Sequence, residues 1–282
     1  MRRFKWPLVA SSVVAVASTL ALAAGGASAS GASGLPTLTM ALNGKTVVVG
    51  GSTISGAVNV QSTVTGESQG GPLLFRLNPG VSPSAFPQAV KMVGEHQGDL
   101  NYLDPYGSIV FDAVAPKGTS SAQTQLSAGT YFAIDSASSS GIPPHTLITV
   151  TPAATPAALP KPQGTINSIE FGFTGPTTLH DGELVRFVNA GFLVHMDVWS
   201  RVKNMAGAKE LVKLLLANAS PKKANTLIIG NGGFANPMSS GGMLQLVITE
   251  KPGIYVQECF MDTQDGRSHT VLGMERIFKI VK

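Results

Sequence analysis

The sequence predicts an all-β protein of two tandem Greek-key β-sandwich domains joined by a Pro/Ala-rich linker. Short apolar runs rich in β-branched residues alternate with Gly-, Pro- and Ser-rich turns along most of the chain. Only 13% of the 282 residues are charged and 32 are glycine, a composition typical of an exported β-protein with many turns. One segment, Thr151–Gln163, is rich in proline and alanine and separates two stretches of domain size.

The first 29 residues are predicted to be a signal peptide. A positive start, an uncharged apolar run and a small-residue cleavage pattern follow one another: Arg2, Arg3 and Lys5, then Leu8–Ala24, then Ala27-Ser28-Ala29. We therefore expect a mature chain that begins near Ser30. It would be secreted or held in the cell envelope, with no membrane span after cleavage.

Removing this leader brings the charge close to balance. The whole chain carries 20 basic and 16 acidic residues, and three of the basic ones lie in the leader, which leaves 17 against 16. A mature net charge near +1 lacks the excess of positive charge that is typical of proteins that bind nucleic acid.

The N-terminal domain is predicted over residues 36–151. The alternation of apolar and polar residues between turns predicts strands at Leu38–Val49, Ile54–Val64, Leu73–Leu77, Ser108–Ala113, Ala122–Leu126, Thr130–Ile134 and Thr146–Val150. The proline-rich residues 152–164 follow as a semi-extended linker, because proline cannot pair in a central strand.

The C-terminal domain is predicted over residues 165–282. Its expected strands are Ile166–Phe173, Glu183–Asn189, His195–Arg201, Asn225–Ile229, Met243–Ile248, Gly253–Cys259 and Glu275–Val281. Ala208–Ala217 has the spacing of a helix, and we predict no other helix in the mature chain. Gly230–Gly242 is predicted to be a long flexible loop.

A weak internal repeat suggests one fold used twice. Ala128-Gly129-Thr130-Tyr131 matches Pro252-Gly253-Ile254-Tyr255. Continuing the alignment at constant separation places three later pairs together: Asp135 with Cys259, His145 with His269, and Val150 with Met274. This alignment predicts that the N-terminal domain lacks the metal-binding groups of the second.

Cys259 is the only cysteine, so the chain cannot form an internal disulfide. Its thiol could be a small buried apolar group, a metal ligand or a nucleophile. The metal hypothesis adds three residues, His195, His269 and Met274. A type 1 copper site needs two imidazoles and a thiolate in a trigonal plane with a weak axial thioether. One histidine at the start of an inner strand, and the other three ligands around the last loop, would supply that set.

The ending of the chain resembles the cupredoxin superfamily, and more closely a group of secreted cupredoxin-like bacterial proteins. The residues that carry the resemblance are Gly253-Ile254-Tyr255-Val256-Gln257-Glu258-Cys259-Phe260 and His269-Thr270-Val271-Leu272-Gly273-Met274, preceded by the strand that leads to His195. The resemblance covers most of 165–282. It implies one copper ion bound by His195, Cys259, His269 and Met274. One departure is that nine residues separate Cys259 from His269, where well-studied blue-copper proteins usually have only a few.

We therefore expect an exported, non-enzymatic copper-binding protein that transfers electrons or carries copper, with a redox or copper-accepting protein as its partner. The sequence offers no evident small-molecule substrate. The alternatives are a metal-free cupredoxin-like binding or structural module and a cysteine hydrolase using Cys259. The hydrolase would also need an orienting residue and an oxyanion hole that the sequence does not locate.

Overall fold

A computed structural model describes residues 34–138 and 141–282 of the protein. The predicted signal peptide lies outside these residues. None of the helices described is long and apolar enough to cross a membrane.

The N-terminal half is built mainly of strands, with one helix between the fourth and fifth. These elements are β1 (Thr37–Leu42), β2 (Val47–Gly51), β3 (Gly56–Gly70), β4 (Pro72–Leu77), α1 (Phe86–Glu95), β5 (Gly107–Asp112), β6 (Ala115–Leu126), β7 (Gly129–Asp135) and β8 (His145–Val150). A short 3₁₀ turn, Leu100–Leu103, follows α1.

The C-terminal half begins after the linker and follows the same plan. Its elements are β9 (Gly164–Ile169), β10 (Gly172–Thr174), β11 (Thr178–His180), β12 (Leu184–Asn189), β13 (His195–Val202), α2 (Met205–Leu216), α3 (Pro221–Asn225), β14 (Ile228–Met238), β15 (Met243–Val247), β16 (Gly253–Glu258) and β17 (Glu275–Val281). A one-turn 3₁₀ helix, His269–Leu272, precedes β17.

The strand order is repeated between the halves. In the first half, β2-β1-β3-β6 forms one sheet segment and β5-β4-β7-β8 a separate sheet; in the second half, β10-β9-β12-β15 and β14-β13-β16-β17 follow the same order, with β11 added beside β17. The first strand of each half also pairs in parallel with its neighbour, β1 with β3 and β9 with β12. Non-consecutive neighbours of this kind are typical of Greek-key connections. The all-β, two-sandwich fold predicted from the sequence is confirmed.

A tyrosine hydroxyl marks the same position in both halves. Tyr131 donates to the carbonyl of Ser127 at 2.7 Å, and Tyr255 donates to the carbonyl of Lys251 at 2.6 Å. Each hydroxyl spans four residues back across the turn that precedes its strand, as in the tyrosine corner of other β-sandwiches. The Gly-x-Tyr match in the sequence therefore reflects equivalent structure.

Four sequence expectations are wrong in detail. Leu38–Val49 is two strands, because Asn43 turns the chain by accepting from the backbone of Lys45 and Thr46. Ile166–Phe173 is also two strands, β9 and β10. Most of the predicted Gly230–Gly242 loop belongs to strand β14, and α1 and α3 are additional helices.

The two halves share one eight-stranded sheet. Strand β15 of the second half pairs with β6 of the first where Gln245 faces Gln123, and their side-chain amides are hydrogen-bonded at 3.0 Å. A second backbone bridge joins Ala113 to Ala235. One core of buried apolar side chains runs through both halves.

The linker is fixed along this shared sheet. The carbonyl of Ala157 accepts from the N–H of Ala57 at 2.9 Å, and the carbonyl of Pro160 accepts from Gln245 and Arg186 at 3.0 and 3.2 Å. The carbonyls of the segment thus bond to both halves, while its prolines have no N–H to donate.

Candidate metal centre

His195 begins β13 at the end of a short loop that Asn189 organises. The buried Asn189 side chain accepts from the N–H of Gly191 at 3.0 Å and donates to the carbonyls of Leu193 and Met238, both at 2.7 Å. These bonds fix the backbone on both sides of the strand start. The imidazole of His195 is consequently held inside the protein, with 1% of its surface exposed.

Cys259 follows directly after β16 and is completely buried. Its Sγ accepts from the backbone N–H of Met196 at 3.4 Å, and its own N–H donates to the carbonyl of Met274 at 3.3 Å. The thiol is therefore tied to β13, and the backbone of Met274 lies beside it. Met274 is itself buried.

The nine-residue segment between Cys259 and His269 folds back on itself. Thr263 donates its N–H to the carbonyl of Arg267 at 2.9 Å around a turn that contains Gly266, whose φ of 78° suits glycine. The N–H of His269 then donates to the carbonyl of Met261 at 2.8 Å. The Asp265-Gly266 turn signal was the sequence evidence that this loop could return to the thiol.

Three potential ligand atoms converge at this point. The Nδ1 atoms of His195 and His269 are 3.2 Å apart, and Sγ of Cys259 lies 3.8 Å from the first and 3.4 Å from the second. A metal at the centre of a trigonal plane, with bonds of about 2.0 Å to nitrogen and about 2.3 Å to sulfur, would require about 3.5 Å between the nitrogens and about 3.7 Å between sulfur and nitrogen. The side chains fit such an ion with only small shifts.

Burial determines the charge of this cluster in the absence of a metal. Burial raises the pKa of the Cys259 thiol to about 12. Burial and the neighbouring His195 lower the pKa of His269 to about 4, and burial also lowers the pKa of His195. At neutral pH the site therefore presents a thiol and two neutral imidazoles. A cation that binds the sulfur would displace the thiol proton, which is released to solvent, and the resulting thiolate would carry one negative charge to offset that of the metal.

Glu170 is a neighbour of the site that the sequence did not reveal. Its Oε1 accepts from the backbone of Leu193 at 3.2 Å and also from Phe192, and it lies 3.6 Å from Nε2 of His195. Burial acts to raise the pKa of Glu170, but the N–H groups of Phe192 and Leu193 outweigh it, so that this pKa is lowered. Glu170 is thus a carboxylate facing the outer nitrogen of His195.

Phe171 packs against the other imidazole. Its ring meets that of His269 edge to face, with 5.2 Å between the ring centroids. His269 is completely buried, and its Nε2 has no hydrogen-bond partner among the described residues. Both candidate imidazole ligands are therefore shielded from water.

The equivalent place in the N-terminal half carries different residues. Asp135 takes the position of Cys259, because the two residues make equivalent hydrogen bonds. Oδ1 of Asp135 accepts from the N–H of Gly71, and Sγ of Cys259 accepts from the N–H of Met196. The N–H of Asp135 donates to the carbonyl of Pro144, and the N–H of Cys259 donates to the carbonyl of Met274. The alignment of Asp135 with Cys259 agrees with the structure, but the two later pairs are wrong. The loop after Asp135 is six residues shorter, so Pro144 rather than Val150 matches Met274, and His145 already lies in β8.

No family model and no curated protein match this chain. Among solved structures, the chain is similar to auracyanin B at 17% identity and a TM-score of 0.28, over 44% of this chain and 94% of that one. It is similar to an auracyanin from Roseiflexus castenholzii at 19% identity and a TM-score of 0.26, over 42% and 95% of the two chains. It is also similar to a copper nitrite reductase from Nitrosomonas europaea at 13% identity and a TM-score of 0.24, over 87% and 93%.

These structural neighbours are cupredoxins and related copper enzymes. At these identities and TM-scores the likeness does not assign a function, which lies in the residues of the site.

Proposed function

We propose that this protein is an exported copper protein that binds one copper ion at a type 1-like site and passes single electrons or carries copper. The observation that carries the proposal is the convergence of one thiol and two imidazole nitrogens at mutual distances of 3.2 to 3.8 Å. Soft thiolate and borderline imidazole together suit copper in both its oxidation states.

In this proposal Cys259 supplies the thiolate, and His195 and His269 supply imidazole nitrogens. Met274 would be the weak axial ligand; it is buried, and its backbone is hydrogen-bonded to Cys259. Copper would supply a one-electron couple at this site. The rigid strands β13 and β16, which carry His195 and lead into Cys259, would limit how far the ligands move when an electron is exchanged.

A non-enzymatic role fits the enclosure of the site better than catalysis on a substrate. Cys259 and His269 are completely buried and His195 almost so. A catalytic metal keeps an open coordination position that a substrate can reach. A buried N₂S set suits outer-sphere electron exchange with a protein partner instead. Export rests on the predicted signal peptide of residues 1–29.

The test is copper binding by the purified mature protein. Wild type should bind one copper ion per chain and show an intense visible thiolate-to-copper absorption. Cys259→Ser should abolish that band because a hydroxyl cannot replace the thiolate. His145→Gln, at an exposed histidine in the other half, should leave band and stoichiometry unchanged and serves as the control.

The outcomes separate the alternatives. Tight stoichiometric binding without the band would favour copper carriage over electron transfer. Absence of stoichiometric copper binding would overturn the proposal and favour a metal-free binding or structural module.

A further inference from the structure

The N-terminal half reaches the candidate metal centre of the C-terminal half through Asn101. This residue lies in the short 3₁₀ turn after α1, and its Oδ1 accepts from the backbone N–H of Val194 at 2.8 Å. Val194 immediately precedes His195, and both are buried. A side chain 93 positions away in the sequence therefore holds the residue before a candidate ligand.

The orientation of the Asn101 carboxamide is fixed by Asp99. Oδ1 of Asp99 accepts from the backbone N–H of Asn101 at 2.9 Å and from its Nδ2 at 2.7 Å. Because the amide nitrogen is engaged with the carboxylate, the amide oxygen must face Val194. Both side chains are 93% buried, so the chain of bonds from Asp99 to Val194 is protected from competing water.

The first half also holds the strand that pairs with His195. The backbone of His195 is paired with Met238 in β14. The next residue, Ser239, donates its N–H to the carbonyl of Ile109 at 2.9 Å, and its Oγ accepts from the N–H of Ile109 at 3.0 Å. The start of β13 is thus supported by the N-terminal half on two sides, at Val194 and next to Met238.

We propose that Asn101 is a positioning residue for His195, so that the N-terminal half completes the metal centre of the C-terminal half. This inference rests on the proposed copper function and assigns a role to the half that lacks the ligand set. Asn101 touches neither the metal position nor a ligand side chain; it acts through the backbone of Val194. Outer-shell partners of metal ligands typically change metal affinity by about 10- to 100-fold when they are removed.

The test compares Asn101→Ala with Asn43→Ala. Asn43 accepts from the backbone N–H groups of Lys45 and Thr46 in the turn between β1 and β2, so its removal also deletes asparagine–backbone bonds, but outside the turn that carries Asn101. Asn101→Ala should lose copper to a chelator about tenfold faster or more. Its reduction potential should rise, since Cu(I) tolerates a looser imidazole than Cu(II). Asn43→Ala should match wild type in both the copper dissociation rate and the reduction potential.

A double variant tests the network itself. In Asp99→Asn/Asn101→Asp the donor and the acceptor exchange places, so a carboxylate oxygen can again accept from Val194 while the new amide at position 99 supports it. This variant should return the potential and the copper dissociation rate toward wild type. Should Asn101→Ala fail to fold, Asn101→Ser fills more of the space yet cannot reach Val194, and gives the same comparison.

Hydrogen exchange in the metal-free protein separates failure of this inference from failure of the copper proposal. In Asn101→Ala the Val194 amide should exchange about tenfold faster or more, because a buried hydrogen bond is lost. If wild type binds no copper, the proposed function fails, and unchanged Val194 exchange would still overturn the anchoring. If copper is bound but Asn101→Ala keeps the wild-type potential, spectrum and dissociation rate, the positioning role is wrong.

Discussion

Asp135 takes the place of Cys259 in the N-terminal half, and its carboxyl group lies against that of Glu67. Burial and the adjacent Asp135 raise the pKa of Glu67 to about 7. Repulsion between two carboxylates at short distance favours the protonated form of Glu67. The first half thus has a pair of acidic groups at the position where the second half has Cys259.

This pair should make stability depend on pH. The folded-state pKa of Glu67, about 7, exceeds the ordinary value of 4.5, so the folded protein binds the proton more tightly than the unfolded chain. Its contribution is fully present below pH 4.5 and declines as the pH rises toward 7. We expect Glu67→Gln, which keeps a donor toward Asp135, to gain stability relative to wild type between pH 5 and pH 8.

Urea unfolding at several pH values measures this difference. Glu95→Gln, at an exposed glutamate that forms an ion pair with Lys91 on the surface of α1, is the control, and its unfolding free energy should run parallel to that of wild type. Parallel curves for Glu67→Gln and wild type would show that no proton is held by the pair.

The candidate ligands can be predicted from the sequence, whereas the residues around them cannot. His195, Cys259 and His269 were predicted from residue type and order, because a thiol with two imidazoles has a recognisable chemistry. Glu170 and Asn101 have no such signal. Glu170 acts through carboxylate contacts to a loop more than 20 residues away, and Asn101 through a contact between the two halves. Ordinary polar residues become part of a site only through the fold.

At the scale of elements, the errors have local causes. Helix α1 carries Phe86, Ala89, Val90 and Val93 on its buried face, and this spacing does indicate a helix. The signal is short, and prolines stand beside it: Pro83 lies just before the helix and Pro87 in its first turn, where proline is tolerated. Strand β14 contains several glycines and shifts register repeatedly against β13. It lies at the edge of its sheet, where bulges and glycine are tolerated, so its sequence lacks the usual alternation.

The two tyrosine corners offer a matched test of the repeat. Tyr131→Phe and Tyr255→Phe each remove one hydroxyl-to-carbonyl bond from equivalent turns, and each should lower the free energy of unfolding by about 1 kcal/mol. Chemical denaturation measures both values. Tyr102→Phe, at a partly exposed tyrosine that stacks on His96 outside both corners, is the control and should cost less. A negligible loss in either corner would contradict its structural role.

At the scale of the whole molecule, the two halves should unfold together. Their shared sheet is held at Gln245, whose amide nitrogen donates to Gln123 and to Pro160 while its oxygen accepts from Arg186 at 2.8 Å. The proline-rich composition of the linker indicated an extended segment between two domains. It carried no information about these bonds, which depend on residues from both halves.

Gln245→Met keeps a similar side-chain volume but deletes these hydrogen bonds and leaves buried partners unsatisfied. We expect it to lower the free energy of unfolding by about 2 kcal/mol. Because the sheet is shared, amide exchange at Ile134 in β7 and at Val256 in β16 should speed up equally. The same substitution at the exposed Gln69 is the control. Faster exchange at Val256 alone would show that the halves unfold independently.

The enclosure of His195, Cys259 and His269 has a consequence for how an ion could arrive. At most 1% of each of these residues is exposed, so an ion in solution cannot reach the ligand atoms directly. Uptake must then wait for the polypeptide around the site to open briefly. At high ion concentration the observed rate would reach a ceiling set by that opening, a property of the protein rather than of the ion.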